Sequence, residues 1–376
     1  MRTLELLSEL VTFPSVSATS NVEVSKWAEE QLVRLGFRTE WVEYEDRNGI
    51  RKACVSGQIG EQNGRGLAYF CHTDVVPVAT WDHPASGPWE LKQQDNRVYG
   101  RGSCDMKGSL ACMLASVEAM GDQTLSSPLT IVCTADEEVG LQGARHLVGN
   151  SAIYKDIVAR QSRGIIGEPT QLEVVHAHKG GRGIKISARG KAAHSSTNEG
   201  INANFAMIPF LSDMHKLCQE IDGNADWTDE RFEPPTINLN LGINDHTHAV
   251  NITPGQSICT IYFRTMPNID ADGLVQRIKS AAIQHGLEFE MMFSGEPVFS
   301  DPNSQFIAEL LQLSGTIESH TVSYGTDGSC FSDLDDLAVL GPGSIAQAHK
   351  DDEWISLDQL EKGEALFKSL IERWCV

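Results

Sequence analysis

Two adjacent glutamates, Glu137 and Glu138, follow the apolar run Leu129–Ala135 and one aspartate, Asp136. A second apolar run, Gly66–Cys71, ends in His72-Thr73-Asp74. Between them stands Gly100-Arg-Gly-Ser-Cys-Asp105-Met-Lys-Gly108. Downstream, Gly164-Ile-Ile-Gly167 ends in Glu168-Pro-Thr170, and Gln347-Ala-His349 lies near the C-terminus. Apolar runs of this length read as buried strands, and strand ends are where open α/β sheets build their sites. Strand ends carrying His, Asp and Glu, with no Cys in a ligand spacing, point to a hard-to-borderline metal. The paired acids offer two jobs at one place, one carboxylate for metal and one for protons. Five candidate ligands, His72, Asp105, Glu138, Glu168 and His349, are too many for one tetrahedral ion and suit two. Each ion would take one His, one Glu and one oxygen of a shared Asp. Paired ions of this kind lie about 3.5–4 Å apart and clamp a water between them. One acid is then left without a metal, free to move protons.

The elements that must position these residues follow from periodicity. Residues 2–11 and 23–35 have helical spacing, and Gly36 closes the second helix. Strands are expected at 66–71, 129–135 and 164–167, with helices at 108–120 and 141–149. This βα alternation implies a mostly parallel sheet covered by helices. From about residue 179 the pattern changes: strand 184–188, helix 202–221, strands 237–241 and 257–263, helix 271–285, strand 287–291. The order β-α-β-β-α-β is the ferredoxin-like unit. The α/β pattern then resumes with a helix at 303–314, strands at 320–323 and 337–340, and a helix at 357–374. The expected fold is an α/β catalytic domain, residues 1–178 and 294–376, with an α+β domain, 179–293, inserted into it.

The length, 376 residues, fits two domains better than one core. The net charge of -21 excludes nucleic acid as a partner, because phosphate binding needs a basic surface. No apolar stretch nears the ~20 residues of a membrane span. The N-terminus alternates apolar and acidic residues, unlike a signal peptide, so a cytoplasmic protein is expected. Nine cysteines without a paired framework fit reduced thiols, and Cys71, Cys104 and Cys133 read as buried structural residues. His176 and His178 read as core histidines, His246 and His248 as surface ones.

The motifs resemble those of the acetylornithine deacetylase and succinyl-diaminopimelate desuccinylase family of dizinc amidohydrolases. The resemblance rests on Cys71–Pro77, Tyr99–Gly108, Thr134–Glu138, Gly167–Thr170, Gly190–Ser196 and Gly341–His349, in the family's order over most of the chain. It implies two zinc ions, with cobalt or manganese as substitutes. His72, Asp105 and Glu168 would hold one ion; Asp105, Glu138 and His349 the other. It makes Glu137 the general base and acid, and Asp74 the acceptor of the second N–H of His72. It implies a cis peptide after Asp105. His194 would come from the partner subunit of a homodimer, built through the inserted domain, and hydrogen-bond the substrate carbonyl. Lys179, Arg182, Asn251 and Arg264 match positions that bind the substrate carboxylate. The loop Tyr324-Gly-Thr326-Asp-Gly328, whose Thr326 is expected to bind substrate, lies between the desuccinylase and deacetylase patterns. The segment from Gly341 through Asp352-Glu353 is closer to the deacetylases. The implied reaction is hydrolysis of a small N-acyl amino acid. Desuccinylase, aminoacylase and dipeptidase activities are the alternatives, and a non-catalytic metal-binding homologue is the rival of another class.

Overall fold

A computed structural model describes residues 1–376, and the chain divides into two compact units. The first comprises Met1–Ala177, Val298–His320 and Thr326–Val376; the second comprises His178–Pro297 and Thr321–Gly325.

The first unit is built on a mixed sheet. Its strands lie in the order Arg38–Glu45, Arg51–Ile59, Leu129–Thr134, Leu67–His72, Arg163–Ile166, Leu337–Val339, Val175–His178 and Val298–Phe299. The four strands from Leu129–Thr134 to Leu337–Val339 are parallel. Leu67–His72 and Leu129–Thr134 are buried along their whole length, which is why their sequences are continuously apolar rather than alternating. Lys107–Glu118 is buried nearly all round, as its unbroken run of small and apolar residues predicts, and packs against helices Arg2–Val11 and Leu357–Cys375. The latter helix is stapled to Gln305–Ser314 by Glu309, which accepts from Trp374 Nε1 at 2.7 Å and from Arg373 at 2.9 Å.

Two features were not foreseen. Arg38–Glu45 and Arg51–Ile59 form an antiparallel hairpin on the sheet edge, where buried Val42 and Tyr44 alternate with exposed Glu43 and Glu45. A helix also spans Ala152–Arg160, capped by the Ser151 hydroxyl on the Tyr154 N–H. A small antiparallel sheet, Trp354–Ser356, Arg97–Tyr99 and Lys92–Gln94, ties the C-terminal segment to the loop that follows Tyr99.

The second unit has the elements Gly180–Arg189, Ala203–Ile221, Asn240–Asn244, Gln256–Thr265, Ala271–Gln284 and Glu288–Gly295. They form the expected β-α-β-β-α-β unit, with sheet order Asn240–Asn244, Gln256–Thr265, Gly180–Arg189, Glu288–Gly295. The strand expected at 237–241 instead begins at Asn240. Its pairing with Gln256–Thr265, Asn240 opposite Tyr262 and Asn244 opposite Ile258, fixes the register. Alternation alone does not fix it. No helix of the chain is long and apolar enough to cross a membrane.

The Glu309 staple gives a stability test. Burial alone would raise this carboxyl, but the Trp374, Arg373 and Gln305 hydrogen bonds win and lower it to about 2. Its contribution is therefore full above the unfolded value of about 4.3 and is lost as pH falls towards 2. We expect Glu309→Gln to cost about 1–3 kcal/mol near neutrality. In urea melts its deficit against the parent should shrink steadily between pH 4.5 and 2; a constant deficit would contradict the assignment.

Candidate metal centre

The four parallel strands end on one side of the sheet, and the acids and histidines follow those ends. His72 is the last residue of its strand. Glu137 and Glu138 follow Leu129–Thr134 through Asp136, whose φ of 56° turns the chain sharply. Glu168 follows Arg163–Ile166 by two residues, and His349, with φ 63°, follows the short helical turn Ile345–Gln347. Two non-glycine residues in the left-handed region beside one cluster are a cost that surrounding contacts must hold in place. Asp105 comes from the loop between Tyr99 and Lys107, and its peptide bond to Met106 is cis.

These side chains converge on Asp105. Its Oδ1 lies 3.1 Å from His72 Nε2, and its Oδ2 lies 3.4 Å from His349 Nε2. Glu168 is 3.5 Å from His72 Nε2, and Glu138 is 3.0 Å from His349 Nε2. One carboxylate thus presents a different oxygen to each of two His–Glu pairs. Glu137 also reaches the cluster: ligand atoms of His72, Glu137 and Glu168 lie within 4.8 Å of one another, as do those of His72, Asp105 and Glu138. Distance alone therefore admits Glu137 as a ligand. Glu138, unlike Glu137, has a histidine of its own.

The electrostatics fit a cation. Burial pushes the carboxyls of Glu137, Glu168 and Glu138 above the carboxylate range, and neighbouring acids add to it. Burial acts on Asp105 in the same sense, but the His349 and His72 hydrogen bonds hold it below that range. His349 is raised to about 10 by its bonds to Asp105 and Glu138. Burial would lower His72, yet Glu168 and Asp105 raise it well above the usual imidazole value. Four carboxyls, Asp105 and Glu168 buried and Glu137 and Glu138 half-buried, thus share two imidazoles, a surplus of negative charge that divalent cations remove. The donors are all imidazole nitrogen and carboxylate oxygen, a set suited to zinc and similar ions.

Asp74 departs from its expected role. The Nδ1 of His72 meets the main-chain carbonyl of Asp74 at 2.9 Å, while the carboxylate stays 3.8 Å away. The carboxylate oxygens are committed elsewhere. They accept the Glu137 N–H at 3.1 Å, the Glu138 N–H at 3.4 Å and the Ser17 hydroxyl at 2.7 Å. Asp74 thus orients the two-glutamate turn with its side chain and the His72 ring with its backbone. A second anchor of this turn was missed from the sequence. Asp136 accepts from Tyr44 at 2.8 Å and pairs with the buried Lys52 at 2.5 Å, both from the edge hairpin.

Three residues expected to bind substrate have structural partners instead. Lys179 is buried in the second unit and donates to the carbonyl oxygens of Pro234 at 2.6 Å and Thr236 at 3.3 Å. Arg182, also buried there, donates to Gly295 O at 2.7 Å and pairs with Glu296 at 2.7 Å and Asp272 at 3.3 Å. A cation taken out of water must be paired, and these partners engage both of its terminal nitrogens. Thr326 caps a helical turn, accepting from Gly328 N at 3.0 Å. Arg264 is half-buried on Gln256–Thr265, with only the Tyr262 ring against it, 5.5 Å from the ring centre. Asn251 and His194 are exposed and stand on neighbouring strands of chain: His194 bridges to Ile252, and Asn251 O accepts from Ser195 N. The His194 Nδ1 lies 2.7 Å from the Ser196 hydroxyl. The nine cysteines are all free; Cys71, Cys104 and Cys133 are buried, as are His176 and His178, while His246 and His248 are exposed.

The model for peptidase family M20/M25/M40 matches residues 68–373. An acetylornithine deacetylase of Myxococcus xanthus is 31% identical over 98% of this chain and 96% of its own length. One of Proteus mirabilis is 30% identical over 99% and 97%. Among solved structures, a family M20 metallo-carboxypeptidase from Sulfolobus solfataricus superposes with a TM-score of 0.74 at 18% identity, covering 100% of this chain and 99% of its own. A dinuclear metal-binding peptidase of the same family from Bacillus subtilis gives 0.65 at 14% identity, over 98% and 96%.

The neighbouring glutamates should separate by metal affinity. Glu138→Ala removes the partner of His349 and should weaken zinc binding in a competition titration by 10-fold or more, whereas Glu137→Ala should retain close to parental affinity. The reverse ranking would exchange their roles.

Proposed function

The chain belongs to peptidase family M20/M25/M40 and is a hydrolytic enzyme, and on that footing we propose that it cleaves the amide of a small N-acyl amino acid, with N-acetylornithine as the leading substrate. The observation that carries the reaction is Asp105, whose two oxygens face two separate His–Glu pairs with Glu137 alongside. The preference for an acetylated diamino acid rests on the deacetylases that are about 30% identical over nearly the whole chain.

We assign two zinc ions to the centre, one held by His72, Asp105 and Glu168, the other by Asp105, Glu138 and His349. When bound, such a pair lowers the pKa of water and polarises the scissile carbonyl. The chain's own residues do the rest. Glu137 takes the proton of the attacking water and returns it to the amide nitrogen, which leaves only once protonated. The raised carboxyl of Glu137, caused chiefly by burial, suits a group that must both accept and donate near neutrality. Asp74 holds the Glu137 backbone, so the carboxylate cannot drift away from the reacting atoms. Arg264, which lacks an acidic partner, captures the substrate carboxylate, and Asn251 assists it.

The second unit supports a homodimer. Asn240–Asn244 is an edge strand; its Ile243 is 62% exposed, and Phe205 and Ile208 of the helix Ala203–Ile221 are 73% and 55% exposed. An apolar edge of this kind is usually covered. We assign the exposed His194 to the partner's site, where it would stabilise the oxyanion.

The test of activity is a hydrolysis panel of N-acetyl, N-succinyl and N-formyl amino acids and dipeptides with zinc supplied. N-acetylornithine should lead, and Glu137→Ala should lower its turnover by about 10²–10⁴-fold. A succinylated substrate in first place would move the assignment to a desuccinylase. Zinc uptake with no turnover of any member would favour the non-catalytic reading.

Sharing of His194 is tested by complementation. The His194→Ala and Glu137→Ala homodimers should each lose about 10²-fold or more. After subunit exchange, the mixed dimer holds one site with both groups intact, so activity should return. Exchange verified by mass without any recovery would place His194 in its own chain's chemistry or in none.

A further inference from the structure

Glu353 is a carboxylate with no contact to water, 0% exposed, four residues beyond His349. The short strand Trp354–Ser356 pairs with Arg97–Tyr99, Trp354 opposite Tyr99, and Gly100 N donates to Glu353 O at 3.1 Å. This pairing delivers the Glu353 side chain beneath the loop that carries Asp105. There each oxygen takes two donors. Oε2 accepts from Arg101 Nη1 and Gly102 N, both at 2.8 Å. Oε1 accepts from Cys104 N at 2.8 Å and Asp105 N at 2.9 Å. A single buried carboxylate thus satisfies three amides of this loop, one of them the amide of Asp105 itself. It also neutralises Arg101, which is equally buried.

We propose that Glu353 is a positioning residue for the two-metal centre: it sets the loop that aims the two oxygens of Asp105, and it does so from the same segment that supplies His349. The proposal rests on the two-zinc reading above. Its physical content is angular. The Asp105 oxygens must face His72 on one side and His349 on the other, at 3.1 and 3.4 Å. A loop free to rock would turn one oxygen away whenever the other was seated. Glu353 removes that freedom at the Asp105 N–H, one residue's backbone from the ligand. Because Asp105 is common to both halves, loosening it weakens both ions together. A residue serving one ligand would weaken only one.

Glu353→Gln is the probe. An amide has one acceptor oxygen, so its NH₂ group must face one of the two donor pairs, and the negative charge opposite Arg101 is lost. Zinc affinity and stoichiometry are measured on the full-length chain by competition with a chromophoric chelator, at a temperature where circular dichroism shows each variant folded. The parent should take up two equivalents. Glu353→Gln should bind both about 10–100-fold more weakly, the range for groups that orient metal ligands. Glu309→Gln, which removes a buried carboxylate far from the loop, is the control for lost stability and should keep parental zinc affinity. Parental affinity in Glu353→Gln would overturn the proposal, as would equal losses in Glu353→Gln and Glu309→Gln. Weakening of one ion alone would also overturn it. Should Glu353→Gln not fold, Glu353→Asp takes its place: a carboxylate one methylene shorter reaches one donor pair and not both, and unchanged affinity there would overturn the proposal. A parent that takes up no zinc overturns the two-zinc reading and the inference with it. A parent with two equivalents and an unaffected variant removes only the inference.

Discussion

Asp105 has to serve two sides at once. One of its oxygens faces His72, which Glu168 approaches, and the other faces His349, which Glu138 approaches. Each of those four side chains arrives from a different part of the chain, spanning residues 72 to 349. The parallel sheet is what makes this meeting possible, because its strands all end on the same side whatever their order in sequence. The hairpin and the small three-stranded sheet then fix what the central sheet leaves loose: the first anchors the Glu137–Glu138 turn through Lys52 and Asp136, the second brings Glu353 under the Asp105 loop.

The same convergence concentrates negative charge where water is scarce. Buried carboxyls repel one another and are pushed towards neutrality unless something positive is supplied. The two histidines supply part of it, and the elevated His349 and His72 show how strongly the acids draw protons to them. Away from the ligands, the acids are balanced differently. Asp136 has Lys52, Glu353 has Arg101 and three amides, and Asp74 has two amides and a hydroxyl. These three acids are matched with fixed protein donors, while the four at the centre face one another and two histidines. That contrast separates the scaffold acids from the candidate ligands more sharply than burial does.

In the second unit, buried cations follow the same rule with opposite sign. Arg182 and Lys179 are enclosed by carboxylates and carbonyls of their own unit, which spends them on its internal structure. Arg264 has no acidic partner and faces only the Tyr262 ring. All three are cations; their neighbours differ.

The sequence by itself determined the alternation that gives the parallel sheet, the ferredoxin-like order of the inserted unit and the candidate ligands, because apolar periodicity and strand-end chemistry are local properties. His72, Glu138 and Glu168 could be read beside the strands that carry them. The β-α-β-β-α-β order needed only the change from continuous to alternating hydrophobicity near residue 179. The edge hairpin was lost because a half-exposed strand rich in charge resembles a loop, and with it went Lys52 and Tyr44. What each polar group does was decided only by the tertiary structure. A carboxylate two residues after a histidine looks like its hydrogen-bond partner, yet Asp74 binds the backbone of residues more than sixty positions away. Glu353 looked like part of a closing motif, and its four donors lie about 250 residues earlier. Hydrogen-bond partners across such distances have no signature in local spacing, since they are set by how strands pair and loops cross. That is why residue types were legible in the chain and their partners were not.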